Sequence, residues 1–255
     1  MSHSPMPDGL RERFALHAKL VGFRRRVARA ETIVADWLAR CERPYVGFST
    51  GKDSTVVLDL VWRQAPDVPA VYFDADCSYP ESAAMLDRLQ AEGRPVIRWP
   101  TSEPFLATLK RLGLDNPKLE RETMRTTVWQ PIKAMLAKHR FDGVALGLRG
   151  EECYGRWKLA QVRGPLFWQK RDSVWECLPI AFWRYDDVWA YIVSRNLPYC
   201  GVYDHLWDAP EDDQRLSYWA GETKRRWGRY AWLKRNYPEL WNRLVAEIPA
   251  ARGYA

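Results

Sequence analysis

No stretch of this sequence approaches the ~20 consecutive apolar residues of a membrane-spanning helix. The first residues, Met1 to Arg13, hold no apolar signal-peptide core. Cysteine is scarce: there are five, an odd number, with no Cys-x-x-Cys spacing. That argues against a disulfide scaffold, a zinc site or an iron–sulfur cluster, and suits a reducing compartment. Repeats, low-complexity runs and linker-like stretches are absent as well, which excludes solenoid and disordered architectures. These absences predict a soluble, cytoplasmic protein that does not enter membranes.

What is present is apolar and slightly basic. Hydrophobic residues make up 47% of the 255, and 39 Lys+Arg against 32 Asp+Glu give a net charge of +7. A chain of this length buries roughly 70–75% of its unfolded surface and needs no staples. The positive charge suits an anionic partner such as a nucleotide or nucleic acid. It is concentrated in residues 222–243, where seven Lys/Arg face only Glu222 and Glu239. There, Lys224 to Arg235 interleaves cations with Trp227, Tyr230 and Trp232. This pattern reads as a nucleic-acid surface or, equally, as an amphipathic helix with Trp227, Tyr230 and Leu233 turned inward.

Periodicity divides the chain. Apolar residues from Phe14 to Leu38 recur at helical spacing, predicting one helix over 9–41 that Pro44 ends. Short apolar runs at 45–49, 69–74, 95–99 and 143–147 read as strands, with helices at 54–63, 80–92, 102–112 and 127–139 between them. Such alternation predicts an α/β fold: an open, mostly parallel sheet flanked by helices. Residues 166–169 and 174–178 suit a hairpin or a far sheet edge, 186–194 a helix, and 222–247 two helices broken at Pro238. The expected organisation is a helical N-terminal segment (1–43), an α/β domain (44–205) and a basic helical extension (206–255).

The chemistry is concentrated where the first strand meets its helix, in Ser49-Thr-Gly-Lys-Asp-Ser-Thr55. Loops leaving the carboxyl ends of strands bind ligands in open α/β sheets, and a helix N-terminus there offers N–H donors and a positive dipole end to phosphate. Gly51 allows close backbone approach, Lys52 adds a cation on a loop that predicts it exposed, and Ser49, Ser54 and Thr55 add hydroxyls. The spacing is not that of a Walker A loop, which has four residues between its glycines, since only three separate Gly47 from Gly51 and Asp53 follows the lysine.

The segment resembles the PP-loop, Ser-Gly-Gly-Lys-Asp-Ser, of the N-type ATP pyrophosphatases, with Thr50 in place of the second glycine. Tyr72 to Ser82, Gly147-Leu-Arg-Gly-Glu-Glu-Cys-Tyr-Gly-Arg156 and Pro179 to Tyr203 are similar, in the same order, to blocks of phosphoadenosine phosphosulfate (PAPS) reductase-like proteins. The resemblance covers 45–204. It implies an adenine nucleotide alpha hydrolase-like, Rossmann-like sheet that binds ATP and Mg²⁺. Cofactor contacts would come from Ser49, Thr50, Gly51, Lys52, Ser54, Thr55, Asp74, Asp76, Gly147, Arg149 and Arg156, and catalytic ones from Lys52, Asp53, Ser54, Arg149 and Cys153. Asp53 and then Glu152 are the magnesium candidates. Several of these have plainer readings: Asp74 and Asp76 as a strand end and helix cap, Arg149 and Arg156 as surface cations, Asp187-Val-Trp189 as core. Cys153 stands where the family has serine, as a persulfide-carrying thiolate or a small residue packed beneath the loop.

Three functions are consistent with the resemblance. The first is an ATP pyrophosphatase, cleaving ATP to AMP and pyrophosphate to adenylate an acceptor in sulfur transfer. DNA phosphorothioation or tRNA thiolation would then involve a cysteine desulfurase or other sulfur donor. The second is a sulfonucleotide reductase or sulfate adenylyltransferase-like enzyme. Reductases carry a late Glu-Cys-Gly-Ile/Leu-His cysteine and tend to lose the loop lysine, whereas here Cys200 is the last cysteine and Lys52 is present. The third is a nucleotide- or nucleic-acid-binding protein without turnover.

Overall fold

A computed structural model of the chain describes residues 5–216 and 226–255. The apolar runs become the strands of one six-stranded sheet: β1 (Pro44–Gly47), β2 (Ala70–Asp74), β3 (Val96–Pro100), β4 (Gly143–Leu146), β5 (Leu166–Gln169) and β6 (Val174–Cys177), in the order β3-β2-β1-β4-β6-β5. β1 pairs in parallel with β2 and β4, and β4 with β6, while β5 returns antiparallel to β6 and closes that edge as a hairpin. Val46, Val71 and Ala145 are fully buried, as central parallel strands covered on both faces require. The chain builds outward from β1 to β3, then crosses back to lay β4 on β1's other side. Ligands of open α/β sheets bind at such a reversal, outside the carboxyl ends of the strands.

The single helix expected over 9–41 is two helices, α1 (Asp8–His17) and α2 (Val21–Leu38). The backbone leaves the helical region at Leu20 (ψ 136°). The break lets the halves face different neighbours. Phe14 of α1 lies 6.1 Å from the Tyr185 ring and 6.2 Å from Trp189, both on α9 (Tyr185–Ser194), whereas α2 packs on α3 (Lys52–Trp62) and β6. Leu20 and Val21, whose apolar character carried the helical pattern across the break, are exposed, so the pattern did not reveal it.

The helices expected at 102–112 and 127–139 are α5 (Phe105–Leu112) and α7 (Gln130–His139), following α4 (Pro80–Ala91). Between α5 and α7 lies an unanticipated α6 (Leu119–Met124) that runs into a π-helical turn, Arg125–Trp129. Only Leu119 and Thr123 of α6 are buried, too few to mark a helical face, and the wider π turn shifts the register of α7 relative to α6. The remaining helices are α8 (Tyr154–Arg163), α10 (Arg226–Asn236) and α11 (Pro238–Glu247). Of the basic stretch expected at 222–247, residues 222–225 and the inward placement of Trp227 lie outside the described part of the structure. No described helix is long and apolar enough to cross a membrane.

Packing divides the chain into two compact units. One comprises Met1–Tyr72, Glu81–Ile97 and His139–Arg215; the other comprises Phe73–Pro80, Arg98–Lys138 and Leu216–Ala255. The segment 1–43 lies within the first unit, whereas 44–205 and 206–255 each contribute to both. In the second unit, Tyr79 packs on Trp232 and Tyr237, and Tyr230 on Trp241.

The first unit carries one fully buried carboxylate in its helical layer. Asp187 on α9 accepts hydrogen bonds from Arg26 of α2 (2.6 Å) and from the Arg184 backbone N–H (2.9 Å), and lies 2.7 Å from His17 Nε2 of α1. Burial works against its charge, but Arg26, the backbone donor and His17 outweigh it, and the carboxyl sits below its ordinary range. A depressed carboxyl stabilises the fold above the unfolded pKa, and that stabilisation fades as pH falls through the folded value. Asp187→Asn is expected to lower stability at pH 7 by about 3 kcal/mol, the low end for one partner of a buried pair because Arg26 is partly exposed. Thermal melts followed by circular dichroism should show the gap to wild type closing below about pH 4.

Candidate active site

β1 ends at Gly47, and after Phe48 and Ser49 the chain reverses through Thr50 and Gly51 into α3. Thr50 adopts φ 59°, the left-handed region that β-branched residues rarely enter, at a cost on the order of 1–3 kcal/mol. Its buried hydroxyl offsets this by lying 2.6 Å from the Ser49 carbonyl and 2.8 Å from Ser82 Oγ. Ser54 and Thr55 turn their hydroxyls back to the Gly51 carbonyl at 2.9 and 3.0 Å, and the Ser49 N–H donates to Ser54 Oγ. These hydroxyls hold the turn in shape. The Lys52 backbone N–H, first in the helix, donates to Tyr203 Oη at 2.9 Å.

Lys52, expected exposed on its loop, is 2% exposed. Its Nζ donates to Asp53 Oδ2 and to the Gln214 carbonyl, both at 3.1 Å, and lies over the Tyr203 and Tyr185 rings at 5.6 and 5.9 Å. Gln214 is fixed in turn, its amide accepting from Tyr185 Oη at 2.6 Å and donating to the Ala209 carbonyl. The lid over the lysine therefore comes from residues 185–214, remote in sequence from the loop.

Arg149, 4% exposed, reaches from the end of β4 to Asp53 Oδ1 at 2.5 Å and pairs with Glu151. Glu151 also accepts from the Tyr185 N–H. Glu152 accepts from the Arg149 N–H and pairs with Arg156, with Arg215 at 4.0 Å. Burial pushes the Asp53 carboxyl upward, but the charges of Lys52 and Arg149 outweigh it, leaving the group below its ordinary range and ionised. Gly147 makes the junction possible. A Cβ there would lie 2.7 Å from Asp53 C and Ser54 N, so only glycine lets β4 end against the first turn of α3.

The two residues expected to hold magnesium are thus engaged by cations, Asp53 by Lys52 and Arg149, Glu152 by Arg156. Among the described residues no group of three or more His, Cys, Asp or Glu is placed to hold a metal ion. The donor set does not fit a protein-built magnesium site.

Of the predicted site residues, the structure brings together Ser49, Thr50, Gly51, Lys52, Asp53, Ser54, Thr55, Gly147 and Arg149, and ties Glu152 and Arg156 to them through Arg149. Asp74 and Asp76 belong to the second unit. There Asp76, at φ 58°, accepts the Phe105 N–H at 2.5 Å where α5 begins, and its backbone carbonyl takes a bond from Arg243. Burial raises the Asp76 carboxyl, with Phe105 and Arg243 partly opposing. Asp187 and Trp189 lie in the core. Cys153 is exposed at the N-cap of α8 and is not packed beneath the loop. Cys77, the next thiol of interest, is buried, and burial holds its thiol well above the usual range. Sequence reading missed Tyr185, Gln214 and Glu151 as parts of the site. Glu151 stood beside a chosen residue, but nothing in the local sequence marks Gln214.

The profile of the phosphoadenosine phosphosulfate reductase domain matches residues 43–209. The phosphoadenosine 5'-phosphosulfate reductase of Gloeobacter violaceus is 24% identical over 220 residues, covering 79% of this chain and 88% of that protein. The adenosine 5'-phosphosulfate reductase of Staphylococcus haemolyticus is 25% identical over 76% of this chain and 84% of its own. Sulfate adenylyltransferase subunit 2 of Caulobacter vibrioides is 26% identical over 73% and 66%. In fold, the crystal structure of a phosphoadenylyl-sulfate (PAPS) reductase from Candida auris, a phosphate complex, superposes with a TM-score of 0.56 at 15% identity, covering 80% of this chain and 94% of that one. The profile spans more than half of the chain and takes in both the Ser49–Thr55 turn and the Arg149–Arg156 segment: this chain belongs to the phosphoadenosine phosphosulfate reductase domain family.

Proposed function

We propose that this chain binds ATP on the β1–α3 turn and transfers its adenylyl group to an acceptor, releasing pyrophosphate, as an adenylyltransferase-like enzyme of sulfur metabolism. The observation that carries this reading is the pair of buried cations, Lys52 and Arg149, held on either side of Asp53 at the N-terminus of α3. An acceptor oxygen attacks the α-phosphorus, the bond from that phosphorus to the bridging oxygen breaks, and pyrophosphate leaves with the electron pair. Negative charge grows on the departing group, where a fixed ammonium and helix N–H donors act most strongly. In this reading phosphate oxygens replace the Gln214 carbonyl on Lys52 Nζ and Tyr203 Oη on its N–H, while Asp53 keeps both cations aimed. Magnesium enters only as an ion carried by the triphosphate. The Caulobacter relative's name supports adenylyl transfer within the family.

A second reading, a sulfonucleotide reductase, is favoured by the names of the Gloeobacter and Staphylococcus relatives. That chemistry needs a thiolate to attack sulfur. In these 255 residues Cys77, Cys177 and Cys200 are buried with their thiols raised by burial, and burial pushes Cys41 up to about 12. The reductase reading therefore rests on Cys153, the exposed thiol.

Lys52→Met should reduce pyrophosphate release from ATP by about 10²–10³-fold. It should also cost about 1–3 kcal/mol of stability, because the buried Asp53 loses a partner. Paired turnover and urea-denaturation measurements check both, and wild-type pyrophosphate release by a folded variant would remove Lys52 from the mechanism. Offered adenosine or phosphoadenosine phosphosulfate with a dithiol, the protein is expected to release no sulfite. Sulfite that disappears on Cys153→Ser would put the reductase reading in its place.

A further inference from the structure

Immediately beyond the charged network the chain becomes free of carboxylates. From Cys153 to Arg171 there are five cations, Arg156, Lys158, Arg163, Lys170 and Arg171, and no Asp or Glu. Within this stretch α8 buries a narrow strip: Ala160 joins Phe167, Leu178 and Ala181, with Leu159 against them. The rest of the helix faces outward and is aromatic as well as basic. Tyr154 is 72% exposed and Trp157 46% exposed, their rings stacked with centroids 5.8 Å apart and planes 25° from parallel. On the edge strand β5, Trp168 is 41% exposed and supported edge-on by Trp175.

Large exposed aromatic surface marks an interaction site. The company it keeps decides the partner. A protein interface core is depleted of charge, whereas here the aromatics are interleaved with cations; Arg156 and Arg171 pair with Glu152 and Asp172 at the two ends of the stretch, which leaves Lys158, Lys170 and Arg163, the last resting over Phe167, with no carboxylate between them. A solvent-facing aromatic plane already stacked on a second ring offers a base a ready platform, and nearby ammonium and guanidinium groups meet its backbone. The basic C-terminal helices do not offer this arrangement. Tyr230, Leu233 and Trp241 are buried there, whereas the α8 rings face solvent.

We propose that α8 and β5 form a surface for single-stranded nucleic acid, with bases stacking on Tyr154 and Trp157 and phosphates meeting Lys158 and Arg163. α8 starts where the network ends, at the Glu152–Arg156 pair, so a bound strand runs toward the nucleotide site. The proposal rests on the adenylation reading only in what the strand is for: it makes nucleic acid the acceptor class.

The full chain should be titrated into a fluorescein-labelled short oligodeoxythymidylate, followed by anisotropy over a range of salt concentrations and without ATP. Wild type is expected to bind, and to bind the single strand more tightly than a duplex of equal length. Tyr154→Ala with Trp157→Ala should weaken binding about tenfold or more. Lys158→Ala with Arg163→Ala should flatten the slope of log affinity against log salt by about 1.4, at roughly 0.7 per phosphate contact. All four positions are exposed, and circular dichroism checks that the fold survives. Absence of binding at low salt, or binding indifferent to both double variants, overturns the proposal. So does a dimer seen by sedimentation that the aromatic variant dissociates without loss of strand binding, which would give the face to a second copy of the chain. Because ATP is left out, lost binding leaves adenylation standing, and a failed pyrophosphate assay leaves the surface standing.

Discussion

The Asp53 carboxylate is the hinge on which the charged site turns. It stands between two cations, one delivered by the helix after β1 and one by the end of β4. Neither Lys52 nor Arg149 could be buried alone, since an unpaired ion in that setting costs several kcal/mol. Held against Asp53, with Glu151 on the far side of Arg149, they are nearly neutralised as a group while their positions stay fixed. Positions set before a ligand arrives are what transition-state stabilisation requires, because nothing then has to reorganise as charge develops. The same pairing occupies both Asp53 oxygens, each of which already accepts from a cation.

The fold makes that meeting possible by bringing the ends of β1 and β4 side by side. The two strands pair along their length, from Pro44 opposite Gly143 to Gly47 opposite Leu146. The next residue on β4, Gly147, then touches the first turn of α3. Thr50 bends the other wall. A glycine would adopt φ 59° without strain, but threonine brings a hydroxyl that ties the turn to Ser82 of α4, which in turn lies 3.6 Å from Cys200. Local strain and a long-range hydrogen bond thus act together, and the loop is anchored from a third element.

How much of this could be read from the sequence depends on how far apart the interacting residues are. The strand, turn and helix around Lys52 are contiguous, and their signals, an apolar run, a glycine and a restored helical period, are local. Arg149 was legible as the end of another apolar strand. The burial of Lys52 was not, because its cover is Gln214, 162 residues further along the chain. Asp76 was read as a strand-end carboxylate for nucleotide or cap, yet the helix it caps begins 29 residues later, at Phe105. The break between α1 and α2 escaped for a different reason: Leu20 and Val21 extended the apolar pattern across it although neither is buried.

Charge is distributed to match these two kinds of surface. Inside the site each cation is met by a carboxylate of the same network, which suppresses its attraction to bulk anions. The adjoining stretch, from 153 to 171, holds five cations and no carboxylate, and its aromatic rings face solvent. A cation left unpaired at a surface acts on anions in solvent, whereas one paired inside a network does not. The contrast is a consequence of pairing: burial forced the site's cations to take carboxylate partners, whereas the exposed Arg163 rests over the Phe167 ring with no carboxylate in its own stretch.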